Sequence, residues 1–209
     1  MKHLAHGTGR IQEASTQVEA RDIAQEAAHA EEAEIVRRCQ DGDREAFRFI
    51  VERYGSMLHG TAYLMTRNHA IAEELSQEAL ILAWRGIKGF KGGSLKAWLA
   101  KILVNKSVSQ SRRKDFGALD IDDPSTPQPT AGEGQDPASA TLTIMEQERV
   151  RAALETLPED QREVVTLRFF SELSVAETAA ALGVREGTVK SRLSRALERL
   201  RGVLVEDID

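Results

Sequence analysis

Apolar residues recur at helical spacing along most of this chain, and no segment shows the strict apolar–polar alternation of a half-buried strand. Residues Met1 to about Ala30 are rich in Ala, Glu, Gln and His and carry few large apolar side chains, so they read as an extension with little to bury. Ile35 and Val36 begin a short helix that the Asp41-Gly42-Asp43 turn interrupts. Asp43 can cap the next helix, on which Phe47, Ile50, Val51, Tyr54, Leu58, Ala62 and Met65 form a stripe. Asn68 is placed to cap a third helix carrying Ile71, Leu75, Ala79, Leu82 and Ala83 on one side. Gly86, Gly89, Gly92 and Gly93 then break the chain around Phe90. Ser94 caps a fourth helix with Leu95, Trp98, Leu99 and Ile102 facing inward.

From Asp115 to about Thr141 the pattern stops. Pro124, Pro127, Pro129 and Pro137, with Gly117, Gly132 and Gly134, cannot build a core and read as a flexible linker. Helical spacing resumes near Leu142 with Val150, Ala153, Leu154 and Leu157. Pro158 suits the first turn of the following helix, which runs through Val164, Leu167 and Phe169. The fold class that follows is all-α, with two small helical domains joined by an acidic Pro/Gly-rich linker. Its expected divisions are an extension over 1–33, a bundle over 34–114, a linker over 115–141 and a second domain over 142–209.

The second domain ends in a helix-turn-helix pattern from Ser174 to Arg201. Ser174 and Glu177 have capping-box spacing, and Ala179 is small enough for a second helix to approach. Gly183 stands where the chain must turn with positive φ, and Val184 can plug the corner. Val189, Leu193, Leu197, Leu200 and Leu204 then make the expected buried stripe. Lys190, Ser191, Arg192, Ser194, Arg195 and Arg199 occupy the other face, where they are donors suited to phosphates and base edges. An amphipathic hairpin with a solvated basic face is the competing account. The cap, the glycine turn and the concentration of charge on the second helix together favour DNA.

Charge changes the picture through its distribution. The net charge is −5 over 209 residues, so the chain as a whole is not basic. Yet no Asp or Glu occurs between Ala79 and Lys114, where Lys88, Lys91, Lys96, Lys101, Lys106 and Arg112 fall, and no Lys or Arg occurs from Asp115 to Glu148. Two local basic surfaces are therefore offered to a polyanion. Cys39 is the single cysteine, which leaves no internal disulfide and reads as a small apolar helix residue. The histidines join it in no metal-ligand spacing, and nothing points to a cofactor. With no apolar run of membrane-span length and no signal-peptide core, the expected location is cytoplasmic.

Three segments in this order resemble bacterial sigma factors of the extracytoplasmic-function (ECF) class. They are AEELSQEALILAW from Ala72 to Trp84, the loop and helix from Phe90 to Lys114, and Leu157 to Arg201. The resemblance implies that the first domain is sigma region 2 and the second sigma region 4, and that the chain is a promoter-specificity subunit rather than an enzyme. It implies core RNA polymerase as partner, through the β′ clamp helices and the β flap, together with promoter DNA and an anti-sigma factor. Glu74, Leu75, Gln77 and Glu78 are then placed in polymerase docking, with Leu82 completing the apolar ridge. Phe90, Lys91, Lys96, Lys101, Asn105 and Arg112 are placed at the minus-10 element. The basic residues of the helix-turn-helix are placed at the minus-35 element.

Physical chemistry fits those roles. A base drawn from the stack costs a few kcal/mol, which stacking and edge hydrogen bonds can offset. Phe90 offers a stacking face, and Asn105 an amide that both donates and accepts. The chain departs from the family pattern in a loop one residue shorter between Phe90 and Trp98, in Glu74 where aspartate is usual, in Leu82 where a basic residue is common, and in its longer amino-terminal extension. A stand-alone helix-turn-helix regulator would leave Glu74, Gln77 and the Phe90 loop unexplained. A DNA-acting enzyme would need a nucleophile, carboxylate or metal set that does not occur before the linker.

Overall fold

A computed structural model describes residues 26–114 and 148–206, with side chains described over 26–110 and 148–203. Among the described residues every regular element is helical. The expected linker over 115–141 and the start of the second domain at 142–147 lie outside them.

In the first domain, helix α1 spans 26–40, α2 Arg44–Thr66, α3 His69–Gly86 and α4 Leu95–Lys114. Helix α1 therefore starts well before Ile35 and takes in part of the expected extension. Glu31 and Glu32 give it a reason to form there, because they reach Arg53 on α2 at 3.7 and 3.9 Å. Gly42 makes the α1–α2 turn at φ +97°, and Asp43 Oδ1 accepts from the Glu45 and Ala46 amides at 2.9 and 3.1 Å. The Ala46 amide and then Arg38 hold the Asp43 carboxyl below the usual carboxylate range. Asn68 caps α3 through the Ile71 amide at 3.0 Å, and Ser94 caps α4 through the Ala97 amide at 3.1 Å. The core joins Val36, Cys39, Ile50, Leu58, Leu75, Ala79, Ile87, Leu95, Leu99 and Leu103. Cys39 is 1% exposed and burial raises its thiol pKa, as a packing role requires.

The second domain comprises α5 (148–155), α6 (Glu159–Val165), α7 (Val175–Leu182) and α8 (Glu186–Glu206). Pro158 stands at the N-cap of α6, one position before the first turn. After Val165 the helix widens into a π turn, Thr166–Phe170, rather than continuing regularly through Phe169. Its last two residues, Phe169 and Phe170, are consequently left exposed.

The two domains pack directly on one another. Met65, Ala100 and Val104 of the first join Leu167, Leu173 and Ala181 of the second in one apolar cluster. The buried hydroxyls of Thr61 and Ser171 lie 2.9 Å apart. Arg162, buried on α6, donates to the Met65 carbonyl at 3.3 Å and to the Leu157 carbonyl at 3.1 Å. It thereby places a cation at the carbonyl end of α2, where the helix dipole favours one.

Candidate nucleic-acid and polymerase interfaces

The helix-turn-helix forms as its pattern predicts. Ser174 and Glu177 close a reciprocal capping box, with the Ser174 amide donating to Glu177 Oε2 at 2.8 Å and the Glu177 amide to Ser174 Oγ at 3.2 Å. Burial works to raise the Glu177 carboxyl, but the hydrogen bonds from Ser174 and Ser94, with the charge of Lys96, together outweigh it and hold the pKa below its ordinary value. Gly183 ends α7 in the left-handed region at φ +67°, and Val184 packs into the corner with Val164, Ala179 and Val189. On α8 Val189 and Ala196 are buried, and Leu193 and Leu200 pack half-buried beside them. Leu197, expected in the stripe, is 44% exposed. A helix turns 3.6 residues at a time, so after two steps of four the inward position falls back to Ala196. Leu204 lies beyond the described side chains.

Lys190, Ser191, Ser194, Arg195 and Arg199 are all exposed on α8. Arg192 is not equally free. Its Nε lies 3.1 Å from Asp160 Oδ2 on α6, and its side chain is three-quarters covered.

The second basic surface centres on the loop between α3 and α4. Ile87–Gly89 form a single 3₁₀ turn, and Gly92 and Gly93 follow at φ +97° and +91°. Those two angles need glycine, and they keep the Phe90 loop short and projecting. Phe90 is half-buried, with its ring 5.3 Å from that of Trp98 and tilted at 53°. Lys91, Lys101 and Asn105 are exposed. Lys96 Nζ instead contacts Glu172 Oε2 of the second domain at 3.1 Å. Arg112 is on α4, with its side chain outside those described.

The polymerase-facing assignment on α3 needs one correction. Leu75 is 1% exposed and belongs to the bundle core with Leu58 and Leu99, so it cannot line an outer ridge. The inward face of α3 runs Ala72, Leu75, Ser76, Ala79 and Ala83. The opposite face carries Glu74, Gln77, Glu78, Ile81 and Leu82 at spacings of three and four. Ile81 and Leu82 are 51% and 42% exposed, and they are the apolar part of that face. Glu74 and Glu78 also hold α4, through Gln110 at 3.0 Å and Lys106 at 2.6 Å. Ile81 was not singled out by its residue type. The signal that could have found it is a large apolar residue out of phase with the buried stripe.

Among the described residues no cluster of three or more His, Cys, Asp or Glu is arranged to hold a metal ion, and no helix is long and apolar enough to cross a membrane.

The two halves match two families of known proteins: "Sigma-70 region 2" over residues 50–116 and "Sigma-70, region 4" over 147–200. The chain is 35% identical to the ECF RNA polymerase sigma factor SigM of Mycobacterium tuberculosis over 83% of its own length and 84% of that protein. It is 34% identical to the ECF RNA polymerase sigma-E factor of Escherichia coli K12 over 79% and 90%. Its fold resembles the sigma factor RpoE from Bartonella quintana, solved in complex with the anti-sigma factor NepR. That match has a TM-score of 0.62 and 31% identity, and covers 76% of this chain and 96% of the other. CnrH, solved with the cytosolic domain of CnrY, superposes with a TM-score of 0.60 at 25% identity, covering 83% of this chain and 96% of that one. The chain belongs to the ECF RNA polymerase sigma factor family.

Proposed function

We propose that this chain is a promoter-specificity subunit of bacterial RNA polymerase. In this reading residues 34–114 dock on the β′ clamp helices and open the minus-10 element, 115–141 connect, and 142–209 meet the β flap and read the minus-35 element. The observation that carries it is the presence, on one chain, of two separate basic surfaces and a polar–apolar outer face on α3. The surfaces are the Phe90 loop with α4, and α8. A regulator that only bound DNA would need one such surface and no docking face.

Exposed Lys190, Ser191, Ser194, Arg195 and Arg199 suit major-groove and phosphate contacts, as the second helix of a helix-turn-helix does. Arg192 joins them by releasing Asp160. Phe90 and Asn105 receive the melted strand while Lys91, Lys96, Lys101 and Arg112 hold its backbone. Glu74, Gln77, Glu78, Ile81 and Leu82 form the polymerase contact. The chain acts in the cytoplasm, catalyses nothing itself and needs no cofactor. Because the sigma factor RpoE was solved in complex with the anti-sigma factor NepR, an anti-sigma factor is also proposed here.

The seam between the domains gives this reading a measurable consequence. Lys96 is engaged by Glu172 and α4 packs on α7, so the free chain should bind promoter DNA weakly, and core polymerase should strengthen binding by holding both domains on the DNA at once. The test is co-elution with core polymerase on gel filtration, followed by equilibrium binding to promoter DNA at fixed salt with and without core enzyme. Tight sequence-specific binding by the chain alone, unchanged by core enzyme, would favour a stand-alone helix-turn-helix regulator.

A further inference from the structure

The Phe90 loop is tied to a helix far from it in sequence. Gln40, in the last turn of α1, donates its side-chain amide to the Phe90 carbonyl at 2.8 Å and to the Ile87 carbonyl at 3.1 Å. These are the carbonyls at the two ends of the 3₁₀ turn, and the Phe90 amide closes the same turn on Ile87 at 3.0 Å. Beyond Phe90, Gly92 and Gly93 border open space, since a Cβ built at either would meet nothing within 4 Å. Gln40 itself is held firmly, because its neighbour Cys39 and Val36 are buried in the bundle core.

The same helix walls a cavity of about 820 Å³ that opens in front of the loop. Glu32, Val36 and Gln40 line it from α1, Tyr54 from α2, and Phe90 and Lys96 from the loop and α4. Tyr54 donates to Glu32, and Arg53 faces Glu31 and Glu32, so the α1 wall is clipped to α2 rather than loosely laid on it. Burial, followed by the Glu32 contact, pushes the Tyr54 hydroxyl well above its ordinary pKa, so it remains a donor at any pH of use. The cavity thus has an aromatic wall, polar atoms within and, at its rim, the Lys96 ammonium, which must exchange Glu172 for a phosphate. A single unstacked nucleobase with its phosphate has that chemistry.

We infer that Gln40 is a positioning residue that sets the Phe90 loop for minus-10 capture, and that α1 supplies the second wall of the cavity receiving the unstacked base. This rests on the minus-10 reading of Phe90. Two side-chain hydrogen bonds to carbonyls at both ends of one turn fix its height and tilt together. Without them the ring can slide along Trp98 and the cavity loses its shape.

The experiment uses holoenzyme assembled from core polymerase and the full chain carrying Gln40→Met, Gln40→Lys or Phe90→Ala. Methionine keeps the length without a donor; lysine keeps a donor. The quantity read is the rate of open-complex formation on duplex promoter divided by that on a template pre-melted at the minus-10 element. Gln40→Met should lower this ratio about tenfold, of the order expected for two lost hydrogen bonds, with core association unchanged and the melting temperature lower by no more than a few degrees. Gln40→Lys should restore most of it, and because lysine's charge would speed both templates alike, the ratio is insensitive to that charge. Phe90→Ala should lower the ratio as well. If Phe90→Ala lowers it and Gln40→Met does not, the positioning role is overturned while the minus-10 reading stands. If neither does, the minus-10 reading fails and this inference with it. Equal defects of Gln40→Met on both templates would make Gln40 a general structural residue and overturn the inference.

Discussion

Gly60 on α2 and Phe170 on the π turn meet so closely across the two domains that a Cβ at position 60 would fall 2.3 Å from the ring's Cζ. The ring lies on bare backbone, beside the buried Thr61–Ser171 hydroxyl pair. Glycine leaves the ring room to lie here, and the position marks where the second domain is seated on the first.

A side chain at position 60 must therefore push Phe170 away. The ring is 46% exposed and can swing outward, so Gly60→Ala should be mild, whereas Gly60→Val should cost about 1–3 kcal/mol as an overpacked contact. Displacing the ring also uncovers the hydroxyl pair, loosening the seam. Small-angle scattering should show a larger radius of gyration for Gly60→Val, with a melting temperature lower by several degrees. Unchanged values of both would mean that the seam does not depend on this contact.

On α3, Leu75 and Ile81 should respond oppositely to truncation. Leu75→Ala empties a site in the bundle core and should cost about 2–5 kcal/mol of stability. Ile81→Ser removes an exposed side chain and should leave stability within about 0.5 kcal/mol, while weakening association with core polymerase by about tenfold. Denaturant unfolding and a core-binding titration measure the two effects separately. Normal core affinity in both Ile81→Ser and Leu82→Ser would remove this face from the docking assignment.

The comparison of Leu75 with Ile81 shows what could be read along the chain. Helix starts were legible at Asp43, Asn68, Ser94 and Ser174 because a cap is a local hydrogen bond between residues two or three apart. The phase of a helix was less so. Leucine serves equally in a core and on a docking ridge, and only the neighbours at Ala72 and Ala79 decide that Leu75 faces inward. Leu197 and Ala196 repeat the problem on α8, where residue size pointed to the leucine and helix pitch to the alanine. Contacts between distant segments left no trace in the pattern. Gln40 bonds to carbonyls, which every residue possesses, and Thr61, Ser171 and Gly60 are unremarkable until the domains are brought together.

The two central arginines of α8 should separate by kind of defect. Arg195 is exposed, so if it reads a base edge, Arg195→Ala should cost about 1–3 kcal/mol at one minus-35 position and flatten preference there. Arg192 is partly occupied by Asp160, and Arg192→Ala should weaken all sequences about equally, with a stability loss below about 1 kcal/mol. Selection from a promoter library with randomised minus-35 bases distinguishes these outcomes. An unaltered sequence profile for Lys190→Ala, Ser191→Ala, Ser194→Ala and Arg195→Ala alike would count against the minus-35 assignment.

Glu163 gives the seam a pH dependence. It lines a cavity between the domains with Arg67, Ser107 and Gln110, and burial, reinforced by Glu159, raises its pKa to about 7 against the partial opposition of Arg192 and Arg162. The folded chain therefore holds a proton on Glu163 between about pH 4.5 and 7 that the unfolded chain has released. Because the folded state binds more protons in this window, stability must fall as pH rises through it, by at most about 3 kcal/mol. Glu163→Gln removes the titrating group. Its unfolding free energy should match that of the parent near pH 4, below the unfolded pKa, and exceed it by about 1–3 kcal/mol at pH 8. Denaturant melts at half-unit steps from pH 4 to 8 provide the measurement. Two parallel curves would show that Glu163 ionises in the folded chain as freely as in water.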